Sequence, residues 1–149
     1  MLDQHTAGCI EYQAERQQIM APHKQPGRIP SGLRVLLVED EFMVALLMES
    51  ELAALGCEII GPIGRLDRAL EIAQREALDV AILDVNINGN EVYPVAEALA
   101  ARGIPFVFVS GYGRKGLRAP WGDRPTLQKP FRIGDLVAVI EQVCVAKRN

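Results

Sequence analysis

Leu33-Arg34-Val35-Leu36-Leu37-Val38 is the stretch of sequence that decides the fold, and two acidic residues, Glu39 and Asp40, follow it directly. Continuous apolar runs of this length, separated by helical patterns, are typical of buried parallel strands. In an open parallel sheet, chemistry takes place in the crevice beyond the carboxyl ends of the strands. Further runs end in polar residues in the same way, at Asp84, Ser110 and Lys129. The sequence therefore predicts that these polar side chains meet at one edge of a sheet.

The overall composition fits one domain with an apolar core, since the chain has 149 residues and is 49% hydrophobic. A formal net charge of −3 gives no basic field for nucleic acid or an anionic membrane. Cys9, Cys57 and Cys144 are far apart in sequence, which argues against a disulfide framework or a thiolate metal site and favours a reducing cytoplasm. No apolar run approaches the ~20 residues of a membrane span, and the N-terminus has no signal-peptide pattern.

Residues 1–31 differ from the rest of the chain and are predicted to form a flexible N-terminal arm. Only residues 10–20 have the composition of a short helix, and the stretch 22–32 then breaks it. A mis-assigned start or a vector remnant is the alternative interpretation of this arm. Residues 32–149 are predicted to form the domain. Because the sequence stops at Asn149, we expect it to act without an output domain.

Helical patterns alternate with the strands from Leu33 onward, which predicts a three-layer α/β sandwich with right-handed crossovers. A short second strand is expected at residues 58–60, and Asp67 suits the N-cap of the helix that follows it. Residues 111–125 hold four glycines and two prolines, so any helix in this segment is expected to be short or disordered. The four clear helical patterns cover about 42–55, 67–76, 94–102 and the residues from 133 or 135 onward.

The carboxylates of Glu39, Asp40 and Asp84 are expected to gather within a few ångströms of one another. Like charges at such distances raise carboxyl pKa values unless a cation neutralises them. Magnesium fits this set best, because it prefers a few carboxylates, a carbonyl and several waters. The alternative is that the acids after the first strand only cap the next helix, where negative charge is favourable.

Asp84 lies between an apolar strand and a turn, and an aspartate carboxylate is a competent nucleophile for phosphoryl transfer. The transferred group then needs stabilisation of its oxygens by cations and hydrogen bonds. Ser110 offers a hydroxyl and Lys129 an ammonium for this purpose. Taken singly, each of these residues also has an ordinary explanation as a turn former or a solvated side chain.

With these motifs the sequence resembles the receiver domains of two-component response regulators, over about residues 33–147. The resemblance implies a five-stranded parallel sheet in the flavodoxin-like order 2-1-3-4-5. It also implies magnesium as the cofactor and a histidine kinase or phosphotransfer protein as the phosphoryl donor. The matching motifs are Val38-Glu39-Asp40-Glu41, Leu83-Asp84-Val85-Asn86, Val109-Ser110-Gly111 and Lys129-Pro130-Phe131.

Each site residue takes its implied role from its place in these motifs. In the family, the acidic pair matched by Glu39 and Asp40 binds magnesium together with the phosphoacceptor aspartate, matched by Asp84. The residue two positions later, here Asn86, lends its backbone carbonyl to the metal. The residues that contact the phosphoryl group are matched by Ser110 and Lys129.

The stretch Val109-Ser110-Gly111-Tyr112 is similar to a narrower subclass whose hallmark is Phe-Ala-Thr-Gly, a hydrophobic residue and Tyr. This similarity implies a kinase of the HWE or a closely related type. Most receivers carry an aromatic switch residue three positions before the lysine, where this chain has Thr126. We therefore expect the segment that starts at Gly111, Tyr112 and Gly113 to act as the switch by ordering and disordering. The alternative is an ordinary loose loop.

The first helix is apolar on every side at its start, which points to a docking surface. Phe42 and Leu46 are predicted to face outward beside the acceptor site, where the family packs against the kinase. A cover formed by the N-terminal arm is the alternative. The residues predicted to face the sheet are Val44, Leu47, Met48, Leu52 and Leu55.

Three functions compete at this point. The first is a phosphoacceptor signalling protein or phosphate sink, with no enzymatic activity beyond its own phosphorylation and dephosphorylation. The second is an aspartyl-phosphate hydrolase, which needs a second acid where this chain has Asn86. The third is a degenerate receiver that serves only as a protein-binding scaffold. A dinucleotide-binding module fits worst, because the first turn is acidic and has no glycine-rich loop.

Overall fold

The computed structural model describes residues 29–148 and the side chains of residues 29–144. Residues 1–28, most of the predicted arm, lie outside the described residues. Within residues 29–148, five strands and four α-helices alternate, together with a small hairpin of two-residue strands, Asn86–Ile87 and Asn90–Glu91. The strands of the main sheet are β1 Arg34–Val38, β2 Glu58–Ile63, β3 Val80–Asp84, β4 Phe106–Ser110 and β5 Thr126–Gln128. The helices are α1 Phe42–Ala54, α2 Leu66–Arg75, α3 Tyr93–Ala101 and α4 Ile133–Arg148.

All neighbouring strands of the main sheet are parallel, in the order β2-β1-β3-β4-β5. Alternate residues of the central strands point to opposite faces and enter two separate apolar clusters. One cluster lies under α2 and α3, and the other lies under α1 and α4. The predicted three-layer sandwich and strand order are therefore confirmed.

The burial of α1 differs from the prediction. Ala45, Met48 and Leu52 are its buried residues, whereas Leu47 and Leu55 are 54% and 45% exposed. Residues spaced three and four apart share one face of a helix, and the apolar start of α1 fits several such stripes equally well. The sequence therefore could not decide which stripe faces the sheet.

Two element boundaries also differ. Strand β2 continues through Gly61 to Ile63, because Gly61 adopts a φ of +117° that other residues rarely tolerate and the pairing with β1 resumes beyond it. The carbonyl of Ile63 accepts a hydrogen bond from the backbone N–H of Glu39 at 3.0 Å. Helix α2 begins at Leu66, so Asp67 lies in its first turn and Arg65 is the N-cap.

The segment between β4 and β5 contains no α-helix, and its helical turns are short, which agrees with the prediction that any helix there would be short or disordered. Two short 3₁₀ helices, Gly113–Gly116 and Trp121–Asp123, take its place. The second of these buries the Trp121 side chain, a burial that no sequence pattern predicted. This segment is therefore attached to the core at Trp121, and its predicted mobility stays a prediction.

Candidate functional site

The register of the sheet brings the predicted site residues to one edge. Val38 pairs with Leu83. Glu39, which follows β1, and Asp84, the last residue of β3, therefore lie side by side. Asp84 in turn pairs with Val109. Ser110 pairs with the last residue of β5, which is followed by Lys129. Parallel pairing thus places side chains from four strands in one crevice, three of them buried: Glu39, Asp84 and Ser110.

Lys129 is the cation of this crevice. Its Nζ lies 3.0 Å from Asp84 Oδ2, 3.1 Å from Glu39 Oε2 and 3.4 Å from Glu41 Oε1. Its backbone N–H donates to the Ser110 carbonyl at 2.9 Å, which fixes the start of the side chain. Burial alone would lower the pKa of Lys129, but the hydrogen bonds and charges of Asp84 and Glu39 raise that pKa to about 12. The ammonium is therefore positively charged at neutral pH.

Glu39 is held in an unfavourable place for a carboxylate. Burial, and next the proximity of Asp84, raises the pKa of Glu39 to about 7. Its Oε1 accepts hydrogen bonds from the Glu41 backbone N–H and from the Lys129 ammonium. Its Oε2 is buried and, within the described part of the chain, accepts no hydrogen bond, although it lies within ion-pair distance of Lys129. A buried carboxylate oxygen that accepts no hydrogen bond is a candidate ligand for a metal ion.

Three carboxylates have oxygens that all lie within 4.8 Å of one another, those of Glu39, Glu41 and Asp84. Glu41 is one of the acids after β1 that could only cap the next helix, yet at the N-cap of α1 its side chain makes no capping hydrogen bond. Hard carboxylate oxygens grouped in this way fit Mg²⁺. Neutralising the crowded charge would also relieve the raised pKa of Glu39.

Asp40 is not a member of this group. Its Oδ2 accepts a hydrogen bond from the Asn88 backbone N–H at 2.8 Å, which ties the turn after β1 to the turn after β3. The backbone N–H of Asn86 donates to Asp84 Oδ1 at 3.3 Å. Both oxygens of Asp84 are thus engaged, one by this N–H and one by Lys129. The metal-binding roles of Asp40 and of the Asn86 carbonyl stay predictions.

Ser110 faces the segment between β4 and β5. Its buried Oγ accepts a hydrogen bond from the Tyr112 backbone N–H at 3.1 Å. The backbone of Gly116 passes so close that a Cβ at that position would clash with the hydroxyl. Ser110 therefore links the crevice to the predicted switch segment, and its role towards a phosphoryl group stays a prediction.

An aromatic cluster anchors the far end of the same segment. The rings of Trp121 and Tyr93 stack with centroids 6.1 Å apart, and Phe106 and Phe108 pack edge-on against Trp121. The Tyr93 hydroxyl accepts a hydrogen bond from the Arg118 backbone N–H at 2.9 Å. Sequence reasoning missed this cluster, and the available signal was a lone tryptophan in a glycine- and proline-rich stretch.

An exposed apolar surface adjoins the crevice. Phe42 is 75% exposed, and Leu46 also points outward, as predicted. Met43 and Leu47 extend the same surface along α1. We call these four side chains the α1 patch. It starts next to Glu41 of the acidic group, so a protein bound there would lie beside Asp84.

Known proteins that are similar to this chain are response regulators. No family model matches the chain. The transcriptional regulatory protein PdtaR of Mycobacterium tuberculosis is 33% identical over 112 residues, which cover 72% of this chain and 55% of PdtaR. The crystal structure of the response regulator PhyR from Brucella abortus is 25% identical, with a TM-score of 0.70, and the match covers 91% of this chain and 57% of that one. This chain spans about half the length of the curated relatives it matches.

The solution structure of BeF₃-activated SdrG from Pseudomonas melonis Fr1 matches over almost its whole length. It is 38% identical to this chain with a TM-score of 0.65, and the match covers 78% of this chain and 99% of SdrG. This chain belongs to the response regulator receiver domains. The family and the fold that the sequence motifs predicted are thus confirmed. Among the described residues, no helix of this receiver is long and apolar enough to cross a membrane.

Proposed function

We propose that this receiver is a phosphoacceptor signalling protein in which Asp84 takes a phosphoryl group from a histidine kinase or phosphotransfer protein. The observation that carries the proposal is the contact between Asp84 and Lys129 inside an acidic group at the strand ends. An Asp84 oxygen attacks phosphorus, the bond from phosphorus to the donor histidine breaks, and an acyl phosphate forms. The modified protein then signals by conformational change or drains phosphate from a shared kinase.

The residues of the crevice divide the work of this transfer. Lys129 keeps its positive charge and stabilises the phosphoryl oxygens. The buried Ser110 oxygen accepts a hydrogen bond from the Tyr112 N–H, and its own O–H is a further donor for a phosphoryl oxygen. Mg²⁺ would be held by Glu39, Asp84 and a third acid from the turn after β1, and when bound it supplies charge neutralisation for the incoming phosphoryl group.

Intact mass after incubation with acetyl phosphate and magnesium tests this function. We expect the receiver to gain the mass of one phosphoryl group, and only when magnesium is present. The scaffold hypothesis is favoured by Thr126, which stands where most receivers carry an aromatic switch residue. It predicts that no phosphoryl adduct forms. The hydrolase hypothesis predicts continuous turnover of phosphate esters. Against it, Asn86 carries an amide, which has no acidic proton to give to the leaving group.

Substitution of the two acids after Glu39 identifies the third magnesium ligand. We expect Asp40→Asn to weaken magnesium binding by at least about tenfold, the loss typical of a removed ligand or its support. Glu41→Gln should weaken it by less than about fivefold, because its exposed carboxylate is screened by solvent. Calorimetric titration of both variants measures the difference. A larger loss in Glu41→Gln would assign the ligand to Glu41 instead.

The raised pKa of Glu39 makes magnesium binding pH-dependent. With a pKa of about 7, Glu39 is mostly ionised at pH 8 and mostly protonated at pH 6. Protons then compete with the metal, so lowering the pH from 8 to 6 should weaken magnesium binding by about tenfold. Glu39→Gln removes the titrating group and should flatten this dependence, with Glu58→Gln as an exposed control. An unchanged pH profile in Glu39→Gln would assign the titration to another group.

The α1 patch is proposed as the surface that meets the kinase, and an HWE-type kinase is the predicted partner. The double substitution Phe42→Ala and Leu46→Ala should slow phosphotransfer by about tenfold, because exposed apolar anchors at the centre of an interface contribute most of its affinity. Labelling by acetyl phosphate should not change. Leu55→Ala, an exposed apolar residue just beyond the far end of α1, is the matched control. The rates are measured as transfer of radiolabelled phosphate from whichever kinase of a panel phosphorylates the receiver fastest. Equal slowing in Leu55→Ala would show that the α1 patch is not the kinase-binding surface.

A further inference from the structure

A shallow groove of about 390 Å³ runs between α1 and α4, on the side of the sheet away from α2 and α3. Its floor is apolar, formed by Ala54 and Leu55 from the end of α1 and by Val137 and Ala138 from α4. Carboxylates lie along the groove on both helices, Glu51 on α1 and Glu141 on α4. A groove of this kind fits an apolar segment flanked by basic residues.

The chain enters the fold directly beside this groove. The backbone N–H of Gly32 donates to the Gly56 carbonyl at 2.7 Å, which places the start of the described chain against the turn that follows Leu55. The Ser31 side chain packs over Gly56. Ile29 packs against the apolar cluster beneath α1 and α4. The described part of the chain therefore begins at the Leu55 end of the groove.

The sequence of the segment before Ile29 complements the groove. Residues 16–28 contain Arg16, Lys24 and Arg28 and no acidic residue, and they include the apolar pair Ile19 and Met20. Eight residues lie between Met20 and Ile29, and the nine steps that join the two span up to about 30 Å in extended form. The groove extends along α4 from residue 133 to residue 141, a length of roughly 12 Å. The segment is therefore long enough to reach any part of the groove.

We propose that residues 16–28 of this chain dock in the groove between α1 and α4, with Ile19 and Met20 on its apolar floor and the basic residues beside Glu51 and Glu141. The segment then acts as a strap that joins the two helices on one face of the sheet. This inference does not depend on phosphorylation of Asp84, so it stands or falls separately from the proposed function.

Nuclear magnetic resonance of the full chain tests the strap. A nitroxide on Gln18→Cys, with Cys9, Cys57 and Cys144 replaced by serine or alanine, should broaden the amides of residues 51–55 and 133–141. Ile19→Asp with Met20→Asp should reduce this broadening about tenfold, because the apolar contact is lost. The double substitution Lys24→Asp and Arg28→Asp leaves Ile19 and Met20 intact. It should reduce the broadening by up to about fivefold, the effect of losing exposed ion pairs.

Each other outcome overturns the proposal. In a mixture of spin-labelled chain without nitrogen-15 and unlabelled chain with nitrogen-15, any broadening must come from a different molecule. Broadening of the groove amides in that mixture would show that the segment of a second copy occupies the groove. Broadening confined to Phe42, Met43, Leu46 and Leu47 would place the segment over the α1 patch. An absence of broadening, with an amide spectrum that matches the unlabelled wild type, would show that the segment does not dock.

Discussion

Asp84→Asn is expected to reduce phosphorylation of this receiver to the level seen without a donor. The amide keeps the shape of the aspartate but is not a nucleophile for phosphorus, and no other described carboxylate has the same buried contacts with Lys129 and the Asn86 N–H. Intact mass after treatment with acetyl phosphate and magnesium gives the result directly. The matched control is Asp79→Asn, an exposed acid just before the opposite end of β3, which should be labelled like the wild type.

Two results would contradict the assignment of Asp84. An adduct of wild-type yield on Asp84→Asn would move the acceptor to another residue, which peptide mapping would identify. Equal loss in both variants would point to a general effect on folding, and circular dichroism of the two proteins would separate that case from loss of the nucleophile.

The fold was predictable because its strands are apolar throughout. Strands β1, β3 and β4 are buried along nearly their whole length between two helical layers, so each appears in the sequence as an uninterrupted apolar run. A polar residue at the end of such a run stands out. Parallel register then brings those ends together without any further information. For this reason, Glu39, Asp84 and Ser110 could be placed in one crevice from the sequence alone. Lys129 follows the short strand β5, which is not apolar throughout, and was placed with them by its position after the last predicted strand.

Side-chain direction was not predictable in the same way. After β1 the chain turns, and which of three consecutive acids points into the crevice depends on that turn and on the contact of Asp40 with Asn88. Glu41 therefore entered the acidic group unforeseen. Likewise, the apolar start of α1 gave no preference for the stripe that includes Ala45 over the one that includes Leu47.

The segment between β4 and β5 gave the weakest sequence signal and holds the least expected packing. Glycine and proline there indicate the absence of a regular helix but do not indicate what replaces it. In the structure, Trp121 fills the space against Tyr93, Phe106 and Phe108. The segment is therefore fixed at its Trp121 end, while at its other end the Tyr112 N–H is held by the Ser110 hydroxyl.

Trp121→Ala is expected to lower the free energy of unfolding by about 3 kcal/mol, because a large buried aromatic side chain is lost and its partners cannot close the space. It should also raise amide exchange across residues 111–125, since the second 3₁₀ helix loses its attachment to the core. Tyr112→Ala, a substitution of an 80% exposed aromatic residue in the same segment, should change stability by less than about 0.5 kcal/mol. Urea denaturation and hydrogen exchange measure the two effects.

The outcome also decides how the segment could report phosphorylation. If Trp121→Ala releases residues 111–125 while acetyl phosphate still labels Asp84, the segment and the acceptor site are separable. Ordering of the segment can then act as the switch that Thr126 is too small to provide. If Trp121→Ala costs no more stability than Tyr112→Ala, the aromatic cluster does not anchor the segment. The link from the site to the rest of the protein would then rest on the contact between Ser110 and Tyr112 alone.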